Sequence, residues 1–310
     1  MHVFLQQLIN GLSIGAVYAL IALGYTMVYG VLKLINFAHG DVYMVGAVIA
    51  YSLSLWMARI AAPLYISLPI IFLGAMIGCA LLGFLIELLC YRPLRHRPRL
   101  VVLITAIGVS LLLENLFQVP QIFGPTPRTL PHLFQTRPIF TFMGSATVAP
   151  VVINNLDLIS LCLGVVLMLL LSWFVMKTKT GLAIRAVSFR VDTASLMGIN
   201  VNRVISMTFI IGSSLAAVAG VVDAMRYQVE PLMGLSQGIK AFVAAVLGGI
   251  GSIPGAVVGG LLMGLIETFL KGYLPSRYSG YADAASFLVL ILILLVRPTG
   301  LLGKPVAEKV

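Results

Sequence analysis

The chain has 310 residues, of which 60% are hydrophobic and only 10% are charged. A soluble core of this composition would leave too little polar surface to cover itself, so an ordinary soluble domain is excluded and an integral membrane protein is indicated. The formal net charge of +10 could suit a nucleic-acid partner. Lysine and arginine instead gather in three short segments, at 91–99, at 177–203 and in the tail from Arg297. This distribution argues against nucleic acid and for loops on one face of a membrane.

Apolar runs of helical length follow one another along the chain. A transmembrane helix needs about 20 mostly apolar residues, and the runs lack the alternating pattern of membrane strands. The sequence therefore predicts an all-α, polytopic integral membrane bundle of about eight or nine spans in a single transmembrane domain, 1–310. The predicted spans are 5–32, 42–62, 64–90, 100–119, 156–176, 201–227, 253–271 and 281–297, with a shorter and weaker one at 235–250.

The basic segments predict the orientation of the chain. Short loops rich in lysine and arginine stay on the cytoplasmic side, and the basic segments share a side only if the weak span 235–250 crosses the membrane. The C-terminus is then cytoplasmic and the N-terminus periplasmic, with 177–203 as a cytoplasmic loop. The connection 120–155 is expected outside as a small ordered cap or turn. The N-terminus lacks a basic region and an obvious cleavage site, so no signal peptide is predicted.

A polar interruption separates the first two predicted spans. Residues 33–41 include Lys33, Asn36, His39 and Asp41 between long apolar runs. Irregular backbone at membrane depth is tolerated only where it is buried in protein or lines a water-filled cavity. The interruption is therefore interpreted as a helix break in which Asn36, His39 and Gly40 shape a transport path or its gate. A turn at the membrane surface is the alternative interpretation.

The first break has a counterpart later in the chain. A shift of 198 residues aligns 17–48 with 215–246 without a gap, and it places Gly40 on Gly238. The predicted topology runs the two copies in opposite directions, so we expect an inverted repeat with halves of roughly 5–119 and 201–297. Transporters built this way bind their solute near the repeat interface. Gly238 and its neighbour Lys240 therefore join the candidate path residues.

Small residues recur at helical spacing after the weak span. Gly251, Gly255 and Gly259 are four residues apart, which is typical of a stripe along which two membrane helices approach closely. The same region has no nucleotide signature, because Pro254 stands where a dinucleotide-binding turn needs its third glycine and no Gly-Lys-Ser/Thr follows. The histidines show no metal-ligand spacing. No cofactor, metal site or catalytic group is predicted, so the chain is not expected to be an enzyme.

Four carboxylates fall in or near the predicted spans, where a charge is costly. Each is either a group of the transport path or an interfacial or satisfied carboxylate, and the sequence leaves both interpretations open. They are Glu87, Glu114, Asp223 and Glu267.

The basic loop 177–203 has the composition of a helix after Gly181. One face of that helix would carry apolar residues and the next face polar ones, with exposed aromatic, aliphatic and basic side chains. Such a loop on the cytoplasmic side is typical of a docking surface, and the alternative is a helix lying on the bilayer surface. The candidate docking residues are Arg185, Val187, Phe189, Arg190, Val191, Asp192, Leu196, Met197 and Gly198.

A resemblance to a known family rests on four segments that cover nearly the whole chain in order. They are YALIALGYTMVYGVLKLINFAHGDVYMVGA, RAVSFRVDTASLMGIN, GIKAFVAAVLGGIGSIPGAVVGGLLMG and the ending RPTGLLGKP. Together they resemble the LivH-type permease of bacterial branched-chain amino-acid ABC importers.

The resemblance implies a multi-pass subunit of the bacterial inner membrane with several protein partners. These are a second, LivM-like permease, two cytoplasmic ATP-binding subunits and a periplasmic substrate-binding protein. It also implies that 183–199 corresponds to the coupling helix that fits a cleft in an ATP-binding subunit, where the ATP chemistry takes place.

Three alternatives stay open at the level of sequence. Relatives with similar motifs carry urea or short amides, so the solute is less certain than the family. A proton-coupled secondary transporter would make use of the intramembrane carboxylates. A membrane-embedded enzyme is the third alternative, and the sequence offers no catalytic constellation for it.

Overall fold

The structure, a computed structural model, describes residues 2–95, 97–131, 137–142, 150–297 and 299–303. The predicted basic tail from 304 onward lies outside the described residues, as do His96 and His132. Within the described part the chain is almost entirely helical. The α-helices are α1 (His2–Leu32), α2 (His39–Arg59), α3 (Leu64–Ile86), α4 (Arg99–Gln118), α5 (Asn155–Lys177), α6 (Lys179–Phe189), α7 (Val191–Leu196), α8 (Val201–Ala224), α9 (Met233–Gly248), α10 (Ile253–Tyr273) and α11 (Ala282–Val296).

The predicted spans correspond to these helices. In the part of the chain that the structure describes, seven helical segments are long and apolar enough to cross a membrane, and they include α3 extended by a π-turn and a 3-10 turn to Leu94. The weak span predicted at 235–250 is the 16-residue helix α9, and the last predicted span is the 15-residue helix α11. The prediction of a helical, polytopic membrane protein is thus confirmed.

The connection between α4 and α5 contains two short strands. Strand β1 (Pro138–Phe142) pairs antiparallel with β2 (Val151–Asn154), and Arg128 forms an isolated bridge with Val229 in the link between α8 and α9. The prediction of a small ordered element in 120–155 therefore agrees with the described part of this connection.

Helix α1 lies at the centre of the bundle. All of its residues from Gly15 to Val28 are buried, because small residues let neighbouring helices approach. Gly15 of α1 meets Leu261 and Gly264 of α10, and Gly260 meets Ala19. The residue numbers rise on one helix as they fall on the other, so α1 and α10 run antiparallel. Close backbone contact between small residues is the usual way in which membrane helices associate.

One predicted packing glycine does not pack. Gly251 precedes α10 and adopts a φ of +92° in the turn after α9, with nothing near the position of a Cβ. The turn forms because Gly249 and Gly251 accept a left-handed backbone and because the Ser252 side chain caps α10. Gly255 and Gly259 do pack, against Gly248 and Ala244 of α9. The prediction for Gly251 was therefore wrong, and the stripe begins one turn later.

Candidate translocation site and coupling surface

The predicted break between the first two spans occupies residues 33–38. Lys33 is exposed, whereas Asn36 and His39 are buried. The His39 ring lies against Gly24 of α1, eight residues before α1 ends at Leu32, which corresponds to about 12 Å along a helix. The link therefore turns back along α1 into the bundle before α2 begins.

The first turns of α2 and α9 meet in this interior region. A Cβ placed on Gly238 would lie 2.8 Å from the Cα of Gly40, and a Cβ placed on Gly40 would lie 2.9 Å from the Cα of Gly238. Gly234 also borders Gly40 at van der Waals distance or closer. Only glycine allows backbones to approach this closely. The two glycines that the 198-residue shift aligns are thus in direct contact.

The polar side chains at the break have specific partners. The Tyr91 hydroxyl donates to the Asn36 side-chain oxygen at 2.8 Å. The His39 ring packs edge-on against Tyr25, with centroids 4.7 Å apart. Its Nε2 atom is buried without a hydrogen-bond partner among the described residues, so the break is only partly satisfied.

A groove opens beside the Gly40–Gly238 contact, between α1, the 33–38 link, α4 and α9. Its walls are mostly aliphatic and aromatic, with two polar side chains from α4. The lining residues are Tyr25, Phe37, Ile107, Ser110, Leu111, Glu114, Gly234, Leu235, Gly238, Ile239 and Phe242. Ser110 was not among the residues predicted from the sequence, although it lies four residues before Glu114 and therefore on the same helical face.

Lys240 lies away from this groove. Residues two apart on a helix point in different directions, so Lys240 faces α10 and α11 while Gly238 faces α2. Its ammonium is buried and bonds to Glu267 at 2.9 Å and to Asp283 at 3.0 Å. Glu267 also accepts from Tyr18 at 2.6 Å and from Lys271 at 2.5 Å. The structure therefore separates Lys240 from the other predicted path residues and places it in a buried ion cluster.

Two of the other intramembrane carboxylates are satisfied. Glu87 accepts from Ser206 at 2.6 Å and pairs with Arg95, and Asp223 accepts a hydrogen bond from Tyr43. Glu114 differs from both, because its Oε1 atom is buried without a partner in the described part of the chain.

The predicted cytoplasmic loop forms two short helices rather than one. Thr178 caps α6 by accepting from the Gly181 amide, and Arg190 then takes an extended conformation with φ −151° before α7 begins. Phe189, Leu196 and Met197 are 87%, 86% and 79% exposed. A kink at Arg190 thus presents three large apolar side chains on one exposed tip.

One predicted docking residue faces the other way. Val187 is 1% exposed and packs into the bundle together with Ile184 and Ala194. It belongs to the apolar face that holds the loop in place, so its assignment to the exposed surface was wrong. Gly198 ends the second helix with a φ of +80°. The other candidates are exposed, and they are Arg185, Arg190, Val191 and Asp192.

A polytopic helical bundle with a broken-helix interior and a projecting loop defines a class, the integral membrane permeases. Residues 7–297 match the family model described as "Branched-chain amino acid transport system / permease component". The chain belongs to this family. The resemblance found in the sequence is thereby confirmed.

Curated relatives match along nearly their full length. The chain is 44% identical to the high-affinity branched-chain amino acid transport system permease protein LivH of Salmonella typhimurium, with 99% of this chain and 98% of the relative covered. It is 43% identical to BraD of Pseudomonas aeruginosa, with the same coverage. A probable LivH of Methanocaldococcus jannaschii is 30% identical over 92% of this chain and 88% of that protein. These relatives are transport components, and with the apolar helices they support a protein of the inner membrane.

Proposed function

We propose that the chain is the permease subunit of an ATP-driven importer that moves branched-chain amino acids across the inner membrane. The observation that carries this proposal is the interior meeting of α2 and α9, where glycines hold two broken helices together beside a groove with aliphatic and aromatic walls. Such walls suit a solute with an aliphatic side chain. They suit urea or a short amide less well, and these remain the second candidate.

We propose that the translocation path of the solute runs beside the break between α1 and α2. Its narrowest point is then formed by Asn36, His39, Gly40 and Gly238. The contact between Gly40 and Gly238 supports this, because the predicted inverted repeat aligns these two glycines and aligned residues of such a repeat are expected to meet near its axis. Lys240 has a different proposed role. Its buried ion pairs hold α9 against α10 and α11 and so fix the floor of the path.

The proposed assembly contains this chain, a second LivM-like permease, two cytoplasmic ATP-binding subunits and a periplasmic substrate-binding protein. ATP hydrolysis takes place on the separate subunits. The exposed tip at Phe189, Leu196 and Met197 supports a protein partner on the side of the basic loops, because large apolar side chains outside a membrane are a liability unless they are covered. The N-terminus is proposed to be periplasmic and the C-terminus cytoplasmic.

The test is uptake by the reconstituted assembly. Proteoliposomes with all subunits should accumulate leucine only when they contain ATP inside and leucine-loaded binding protein outside. Collapse of the proton gradient should leave the initial rate unchanged. Leucine uptake that needs the proton gradient but no ATP would indicate the secondary transporter, and uptake of urea but not leucine would indicate the amide-type permease.

A further inference from the structure

Two carboxylates beside the groove lack a compensating charge. Asp41 is 1% exposed and Glu114 is 7% exposed. The Oδ1 atom of Asp41 and the Oε1 atom of Glu114 are buried without a hydrogen-bond partner, and no described basic side chain forms an ion pair with either group. No other carboxylate of the described chain has a buried oxygen without a partner. This pair is therefore the exception that needs an explanation.

The two groups belong to one site. The Ser110 hydroxyl donates to Oδ2 of Asp41, and Glu114 follows Ser110 by one helical turn on the same face of α4. Gly234 leaves room at the free oxygen, because a Cβ on this glycine would lie 2.9 Å from Oδ1 of Asp41. Ser110, Glu114 and Gly234 all line the groove. The Glu114 side chain therefore lies at the groove wall, and the Asp41 carboxylate lies directly behind the wall, next to Ser110 and Gly234.

The side chains around the groove indicate what kind of ligand it can bind. A charge buried in a membrane protein is retained only where it is paired or serves a path, and two neighbouring carboxylates repel unless a cation or a proton lies between them. An ammonium has three donors and no acceptor, which fits two free carboxylate oxygens. Beside them, Ile107, Leu111 and Ile239 provide an aliphatic surface. A cation with an attached aliphatic chain satisfies both parts of the groove.

We propose that Asp41, Ser110 and Glu114 form a transient binding site for the ammonium group of a zwitterionic aliphatic amino acid on its way through the permease. The aliphatic side chain of the solute lies against the walls from α4 and α9. This inference rests on the proposed function and adds to it the position of the charged end of the solute.

The experiment compares Glu114→Gln with wild type in proteoliposomes that contain the complete assembly and leucine-loaded binding protein. Glutamine keeps the size and removes the charge. We expect leucine uptake to fall about tenfold, as for loss of a charged hydrogen bond, while ATP hydrolysis stimulated by the binding protein stays within about twofold of wild type. More ATP is then consumed per leucine. Ser110→Ala, which deletes one hydroxyl from the site, should also raise the number of ATP molecules hydrolysed per leucine transported.

The matched control is Glu230→Gln, the same change at an exposed carboxylate in the α8–α9 link, and both activities should stay unchanged. Normal uptake and coupling in Glu114→Gln and Ser110→Ala, beside a transporting wild type, would overturn the ammonium site. Loss of the second permease from an otherwise folded Glu114→Gln chain would also overturn it, because the cation would then be a basic side chain of that partner. A pH dependence of wild-type uptake that Glu114→Gln abolishes without altered coupling would assign the site to a proton. A wild type that hydrolyses ATP without taking up leucine would overturn the proposed function itself.

Discussion

Single glycines decide how closely the two broken helices approach. Gly238 and Gly40 place their backbones where neither tolerates a Cβ, whereas Gly108 in α4 has nothing within 4 Å of the position of its Cβ. Both Gly108 and Gly238 are helical, so alanine improves helix propensity at each by about 0.8–1 kcal/mol. Only the tertiary contact distinguishes them, and this makes the pair a matched comparison.

We predict that Gly238→Ala lowers the stability of the purified subunit by about 1–3 kcal/mol, because the new methyl group overpacks the α2–α9 contact. Gly108→Ala should be neutral or slightly stabilising. Thermal unfolding in detergent measures both changes, and leucine uptake should fall only in the first variant. Equal unfolding temperatures for the two variants would contradict the close approach of α2 and α9.

A second comparison at the residue scale concerns the ion cluster. Lys240 is buried and joins α9 to α10 and α11, while Lys271 is half-exposed and pairs with Glu267 one turn away on its own helix and, at 3.6 Å, with Asp283 of α11. Breaking a buried ion pair costs about 3–5 kcal/mol, whereas solvent screening lowers the contribution of a pair with a half-exposed lysine toward about 1 kcal/mol or less.

Lys240→Met is therefore expected to destabilise the subunit by roughly 2–4 kcal/mol, somewhat reduced because Lys271 and Tyr18 still bond to Glu267. Lys271→Met should cost less than about 1 kcal/mol. Denaturant or thermal unfolding of the two variants measures the difference. If Lys271→Met were the more destabilising variant, Lys271 rather than Lys240 would make the main contribution of the ion cluster to stability.

The two short helices α6 and α7 show how an element can use one face for folding and leave another exposed. Ile184, Val187 and Ala194 fix the loop to the bundle, and the kink at Arg190 leaves Phe189 and Leu196 outside. The basic residues around the tip are suited to orienting an encounter, and a buried aromatic side chain is a typical interface anchor.

We predict that Phe189→Ala combined with Arg190→Glu uncouples the assembly. Loss of the aromatic anchor costs about 2 kcal/mol or more of binding, so the ATP-binding subunits should be lost on purification or should no longer respond to loaded binding protein. Co-purification stoichiometry and stimulated hydrolysis measure the effect.

The control for this prediction is Val187→Ala, which removes buried volume from the same loop. It should lower the unfolding temperature of the subunit, yet the ATP-binding subunits should remain attached. Retained subunits and normal uptake in Phe189→Ala/Arg190→Glu would instead favour a helix that lies on the lipid surface.

At the scale of the whole molecule, the distribution of basic residues predicts how the chain is oriented in the membrane. The basic segments 91–99 and 177–203 and the basic tail fall on one side only if α9 crosses the membrane. Helix α9 has 16 residues, which is short for a full crossing of about 30 Å. It begins in the interior beside Gly40 and so needs to cross only part of the bilayer.

Leu302→Cys, a change at an exposed position near the end of the described chain, is expected to resist an impermeant thiol reagent added to intact cells and to react after the membrane is opened. A background that lacks the exposed Cys162 is required. Labelling of the Leu302→Cys variant in intact cells would place the C-terminus outside and would exclude the proposed crossing of α9.

The sequence by itself determined the class of the protein, nearly all of its helices and the position of its first break. Long apolar runs can bury their backbone polar groups in a membrane only as helices, so the spans were readable from composition and length. The glycines at 40 and 238 were also visible, because polar interruptions in apolar runs are rare and their spacing repeats.

Only the tertiary structure decided which side chains share a site. It moved Lys240 into an ion cluster, turned Val187 inward, removed Gly251 from the packing stripe and brought Ser110 and Glu114 of α4 to Asp41 of α2. Periodicity specifies the face of a helix on which a residue lies, but the neighbour that this face meets depends on helix rotation and crossing. Those are set by close packing between segments far apart in the chain.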